Sequence, residues 1–135
     1  REATPEQLEG LRKHIVERIL TLCCPRCAQA FIDFEGCCAL SCARCGCSFC
    51  AYCQADCGSD AHGHVARCVW NLKREVFSRK ERFEEAQHQR RKRQVQALLA
   101  SVPRNTRQAV LDLCKVDLQG LQLDMYDDRE AGAQV

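Results

Sequence analysis

Three Cys-x-x-Cys pairs follow one another closely in this chain: Cys24-Pro25-Arg26-Cys27, Cys42-Ala43-Arg44-Cys45 and Cys50-Ala51-Tyr52-Cys53. Such a turn presents two thiolates from one knuckle, and zinc takes four near-tetrahedral ligands, so each site needs two such contributions. Cys24 and Cys27 with Cys42 and Cys45 complete a first set. Cys50 and Cys53 need two partners from Cys57, His62, His64 and Cys68. The pair His64-x-x-x-Cys68 is the most economical choice, with Cys57 and His62 as alternates. Of the 13 cysteines, 12 lie between positions 23 and 68, and with His62 and His64 they make 14 candidate ligands. Two sites use eight of these, so two zinc ions are expected and a third stays open to the surplus. Cys23, Cys38 and Cys47 read as small apolar fillers beside the knuckles. Cys37 falls outside every pair.

The order Cys-x-x-Cys, Gly36-Cys37, Cys42-x-x-Cys45, Phe49-Cys50-x-x-Cys53, His64 resembles the last zinc domain of the RING-between-RING ubiquitin ligases, the catalytic module also called Rcat. The likeness covers about a third of the chain. In that family the cysteine after the glycine, five residues before the next zinc cysteine, is no ligand. It accepts ubiquitin as a thioester from a conjugating enzyme and passes it to a lysine. The resemblance therefore implies that Cys37 is a catalytic nucleophile, that the chain is a ubiquitin transferase, and that its partners are ubiquitin, a ubiquitin-conjugating enzyme and a protein substrate. A transthiolation nucleophile must be exposed, partly ionised and free of metal, and Cys37 sits between the two halves of the first ligand set. The histidine that many members carry two residues beyond the nucleophile is Ala39 here, which leaves the general base open, with His62 a candidate if it binds no metal. The neighbouring in-between-RING domain of the same family has similar cysteine spacing without chemistry. A non-catalytic zinc-held interaction module is therefore the alternative.

These residues need elements to position them. Thr4-Pro5-Glu6-Gln7 carries an N-cap, a first-turn proline and a capping-box glutamine, so a helix starts there and runs to about Leu20, with Leu8, Leu11, Ile15 and Ile19 as its core stripe. His14 reads as a solvated helix histidine. Ala30 to Phe34 alternates like a short strand, and hairpins carrying paired cysteines are the usual zinc-ribbon solution. Trp70, Leu72, Val76, Phe77 and Phe83 then fall at helical spacing, which predicts a long helix from about Asn71 to Ala100 whose polar middle is a solvated rod leaving the zinc module. A shorter helix from about Thr106 to Lys115 follows Pro103 and folds back as a helical hairpin, with Cys114 as a buried thiol. The expected fold is thus a small zinc-stabilised α+β protein. A linker helix occupies 1–22, the zinc-binding domain 23–69, the long basic helix 70–103, a short helical segment 104–126 and a disordered tail 127–135.

The central stretch has too few large apolar residues for a core of its own, so metal or disulfides must hold it. Tandem Cys-x-x-Cys pairs backed by histidines favour zinc over a secreted disulfide framework, which points to the cytoplasm or nucleus. The chain begins at Arg1 and reads as an excised piece of something longer. No apolar run has membrane-spanning length, so no membrane partner is expected. The net charge of +2 hides the run Arg90-Arg91-Lys92-Arg93. That run reads mainly as a solvated helix face, or as the charged part of a ubiquitin-contacting extension. Nucleic acid is a lesser expectation, because no aromatic is interleaved for base stacking.

Overall fold

A computed structural model describes residues 2–123, so the expected tail over 127–135 lies outside the described residues. Helix α1, Pro5–His14, begins as its sequence dictates: the Thr4 hydroxyl accepts from the Gln7 N–H and the Gln7 side chain accepts from the Thr4 N–H. The chain continues without a break into a π-helical segment, Ile15–Leu20, closed by the Thr21 N–H and hydroxyl on the Val16 carbonyl. Strands β1, Ala39–Ser41, and β2, Ser48–Cys50, form one antiparallel hairpin with Leu40 opposite Phe49. Helix α2 spans His62–Arg67, α3 spans Lys80–Ser101 and α4 spans Arg104–Leu113. No helix among the described residues is long and apolar enough to cross a membrane.

Two hydrophobic clusters result. One lies inside the zinc module and is built from cysteines with Leu22, Leu40, Phe49 and Val65. The other is helical and holds Ile15, Ile19, Val95, Leu99, Val110, Cys114 and Leu121. Cys23, Cys38, Cys47 and Cys114 are all buried, as expected of small apolar thiols.

Three expectations are corrected. The 30–34 stretch contributes only a single bridge, Ala30 to Cys23. Phe31 meets Phe49 edge-on at 6.0 Å and Phe34 stacks on Phe83 at 3.9 Å, while Ile32 points to solvent, so ring packing rather than alternation sets its course. The long helix starts at Lys80, not near Asn71. The buried Asn71 side chain donates to the Val65 and Glu75 carbonyls, stabilising a turn. Val76 to Ser78 then pairs with Gly36 to Cys38 as a short strap. A strand partner distant in the same chain outweighs helical periodicity there.

The third correction concerns α3, which is no solvated rod. Its first half lies on the zinc module and its second half belongs to the helical cluster. Gln87 donates to the Ala51 carbonyl at 2.8 Å. Arg91 donates to the Leu20 carbonyl at 3.0 Å, and Arg93 donates to the Tyr52 carbonyl at 2.7 Å while lying 3.9 Å over the Trp70 ring. Arg90 is wholly enclosed. Helix α4 packs chiefly on α1 rather than folding back along α3 as a hairpin, and Arg107 fastens the α3 end by donating to the Leu99 and Val102 carbonyls.

Candidate functional site

The three knuckles share one backbone construction. In each, the residue after the second cysteine adopts a left-handed conformation, with Ala28 at φ 68°, Gly46 at 77° and Gln54 at 61°. Its N–H bonds back to the carbonyl of the first cysteine, from Ala28 to Cys24, Gly46 to Cys42 and Gln54 to Cys50. This closure brings the two thiols of each pair to one side and turns backbone N–H groups onto sulfur. Arg26 N–H donates to Cys24 Sγ and Tyr52 N–H to Cys50 Sγ, each at 3.3 Å.

Side chains then gather into two groups, Cys24, Cys27, Cys42 and Cys45, and Cys50, Cys53, His64 and Cys68, with the ligand atoms of each within 4.8 Å of one another. Cross-pair separations are 3.6 Å for Cys24 to Cys45, 3.5 Å for Cys27 to Cys42 and 3.2 Å for Cys53 to His64 Nε2. A tetrahedron with zinc–sulfur bonds of about 2.3 Å has edges of about 3.8 Å, so both groups fit a zinc ion. One hairpin serves both. Its turn carries Cys42 and Cys45, and its second strand ends on Cys50. The alternates Cys57 and His62 stand outside both groups, and no third group forms among the described residues.

Thiol acidities in each group are driven apart in a way that a divalent cation resolves. The Cys45 N–H, working against desolvation, holds Cys42 at about 6. Cys45 feels a lowering from the Cys47 N–H, but desolvation and the thiols of Cys24, Cys27 and Cys42 push it up to about 11. In the second group the hydrogen bond with Cys50, then that with His64, hold Cys53 at about 4. The same Cys53 contact, with burial, drives Cys50 far upward, and burial raises Cys68. Crowded thiols cannot all ionise beside one another unless positive charge is added, which zinc supplies.

Cys37 belongs to neither group. Gly36 precedes it at φ 103°, a conformation other residues resist although open space surrounds the position, and this turn delivers the chain into β1. The partly exposed Cys37 Sγ lies 3.6 Å from His62 Nε2. His62 Nδ1 is 2.5 Å from Asp60 Oδ1, which also accepts from the His62 backbone N–H at 3.0 Å. With Nδ1–H on the carboxylate, Nε2 is left as the acceptor toward the thiol. The strap holds Cys37 from the other side, because Cys38 N–H donates to Val76 O and Ser78 N–H to Gly36 O. Among the described residues nothing accepts the Cys37 N–H.

Asp60 was absent from the sequence expectations. Its signal is the Asp-x-His spacing at a helix start, where an aspartate caps a turn and orients the imidazole two residues on. The basic run is also placed differently from its reading as a free face: Arg90, Arg91 and Arg93 are all committed within the chain. Comparison with known protein-family models, with curated proteins and with solved structures finds no match to this chain.

Proposed function

We propose that this is a zinc-held acyl-transfer domain in which Cys37 accepts ubiquitin as a thioester from a conjugating enzyme and passes it to a substrate amine. The supporting observation is the thiol excluded from both zinc groups and set 3.6 Å from an imidazole that Asp60 orients. In this reading Cys37 Sγ attacks the thioester carbonyl, His62 Nε2 takes the thiol proton, and the Cys37 N–H donates to the developing oxyanion. The conjugating-enzyme sulfur leaves as a thiol, carrying the proton that His62 took, and the acyl group stays on Cys37. An incoming amine then attacks the new thioester and loses its proton to His62, which returns it to the departing Cys37 sulfur and regenerates the thiol. His62, arriving from α2, takes the place of the histidine missing at Ala39. A cytoplasmic or nuclear location accompanies this reading.

The test is discharge of a ubiquitin-charged conjugating enzyme by the zinc-loaded chain. Wild type is expected to form a thiol-sensitive adduct. Cys37→Ala is expected to form none, Cys37→Ser a thiol-resistant ester, and His62→Ala is expected to slow transfer by about a hundredfold or more. Unchanged discharge by Cys37→Ala sinks the reading. The second reading, an interaction module without chemistry, draws on the exposed Val69, Leu72 and Phe77 beside the second zinc group and the strap. It predicts that Cys37→Ala changes nothing.

A further inference from the structure

The chain between α2 and the strap holds apolar side chains out in water, and it does so on a fixed frame. Asn71, 3% exposed, is the centre of that frame. Its N–H donates to the Cys68 carbonyl at 2.9 Å, and its own carbonyl accepts from the Arg74 N–H at 3.1 Å. Two turns therefore follow one another, Cys68 to Asn71 and Asn71 to Arg74. The Asn71 side chain fastens both by donating to the Val65 and Glu75 carbonyls at 2.8 and 2.9 Å. Arg74 ends the second turn at φ 58°, in the left-handed region.

The corners of these turns are Val69 and Trp70 in the first, Leu72 and Lys73 in the second. Val69 is 77% exposed and Leu72 89% exposed, so both side chains stand clear of the surface. The Arg93 guanidinium, 3.9 Å from the Trp70 ring centroid, steadies one face of the indole, and Trp70 remains 49% exposed. A lone exposed aliphatic residue is ordinary, but three apolar corners within four residues, locked by a buried asparagine, form a protruding patch. Charge around it is of one sign. Exposed Lys73 and Arg74 adjoin it, exposed Arg67 precedes it and exposed Arg79 follows. The one carboxylate between Arg67 and Arg79, Glu75, is met by Arg82 at 3.5 Å.

A peptide partner needs a groove to lie in, whereas side chains this exposed stand above the surface. A bilayer accepts protruding side chains without shape complementarity. Indole at headgroup depth, aliphatic side chains beside it and cations facing anionic headgroups together favour an interfacial position.

We propose that the two turns at 68–74 are a membrane-contact tip, seating Val69, Trp70 and Leu72 in the interface of an anionic bilayer while Lys73 and Arg74 meet its headgroups. Such peripheral contact needs no membrane-spanning run. It stands whether or not Cys37 transfers ubiquitin, because that thiol takes no part in it.

Trp70 is the one tryptophan of the chain, so its emission reports on the tip directly. The zinc-loaded chain is titrated with vesicles of about 30% phosphatidylserine in phosphatidylcholine, and in parallel with pure phosphatidylcholine vesicles, reading Trp70 fluorescence and co-sedimentation. The anionic vesicles are expected to shift Trp70 emission to the blue with half-saturation at about 1 mM lipid, and about 0.5 M salt to weaken binding about tenfold. Leu72→Ser is expected to weaken it about tenfold, as is Lys73→Gln combined with Arg74→Gln, while native mass spectrometry still counts two zinc ions in each variant. No shift up to about 10 mM lipid, equal binding to both kinds of vesicle, or unchanged binding by Leu72→Ser overturns the proposal. A soluble peptide of alternating glutamate and leucine that shifts Trp70 as the vesicles do overturns it as well, since the tip then serves a protein partner. So does a dimer of the chain that Leu72→Ser dissociates, since a second copy then covers the tip.

Discussion

Arg90 and Gln87 carry the junction between the metal-bearing half of the chain and its helical half. Gln87 satisfies two enclosed groups at once, donating to the Ala51 carbonyl and accepting from Arg90 Nε. Replacing it with leucine leaves both without a partner while nearly keeping the volume. We expect Gln87→Leu to cost about 2–4 kcal/mol in urea unfolding of the zinc-loaded chain. A cost under about 0.5 kcal/mol contradicts the role assigned to it. At this scale the sequence was legible wherever residue type dictates chemistry. Cysteine spacing gave the first ligand set and narrowed the second to Cys50 and Cys53 with two of Cys57, His62, His64 and Cys68, of which the structure gathers His64 and Cys68, and Gly36-Cys37 marked the thiol left outside them. Residues whose type is ambiguous were not legible. A glutamine and an arginine on a helix read as solvated, because only the facing carbonyls of residues far away in sequence show that they are enclosed.

Among the elements, α1 was legible because its start is encoded locally, by a reciprocal pair of hydrogen bonds between Thr4 and Gln7. The strap at 76–78 was hidden for the opposite reason: its apolar residues sit at helical intervals, yet its partner, Gly36 to Cys38, is distant in the chain. Helix α3 was found by its lack of helix breakers, but its role was misjudged, since a polar face can pack on carbonyls as well as on water. Its second half is an ordinary core element. Leu99, 2% exposed within the helical cluster, is expected to cost about 2–5 kcal/mol when changed to alanine. The zinc content counted by native mass spectrometry should stay at two ions in that variant. Loss of an ion would show that the helical cluster and the metal groups are one cooperative body at the level of this element.

For the molecule as a whole, two cores of different chemistry are joined through α3. One is small and rich in cysteine, and its cohesion depends on metal; the other buries aliphatic side chains from the π-helical segment, α3 and α4, with the half-buried Leu8 and Leu11 of α1 packed against them. Chelation of zinc should therefore act unevenly. We expect amide protection to be lost over β1, β2, α2 and the strap, while amides in α1, α4 and the second half of α3 stay protected. Hydrogen exchange read by mass spectrometry checks this, and simultaneous loss across the chain contradicts it.

The order of residues along the chain also sets an order of birth. During synthesis the first zinc group is complete once Cys45 has emerged, the second only at Cys68, and the strap that grips Cys37 only at Ser78. Cys37 thus emerges before its imidazole partner at His62 exists and before the strap can hold its strand. A nascent chain halted between Cys45 and His62 would carry one metal ion and an unpaired thiol. The pairing of thiol with imidazole is among the later features the zinc module acquires, after its first half is already fastened by metal.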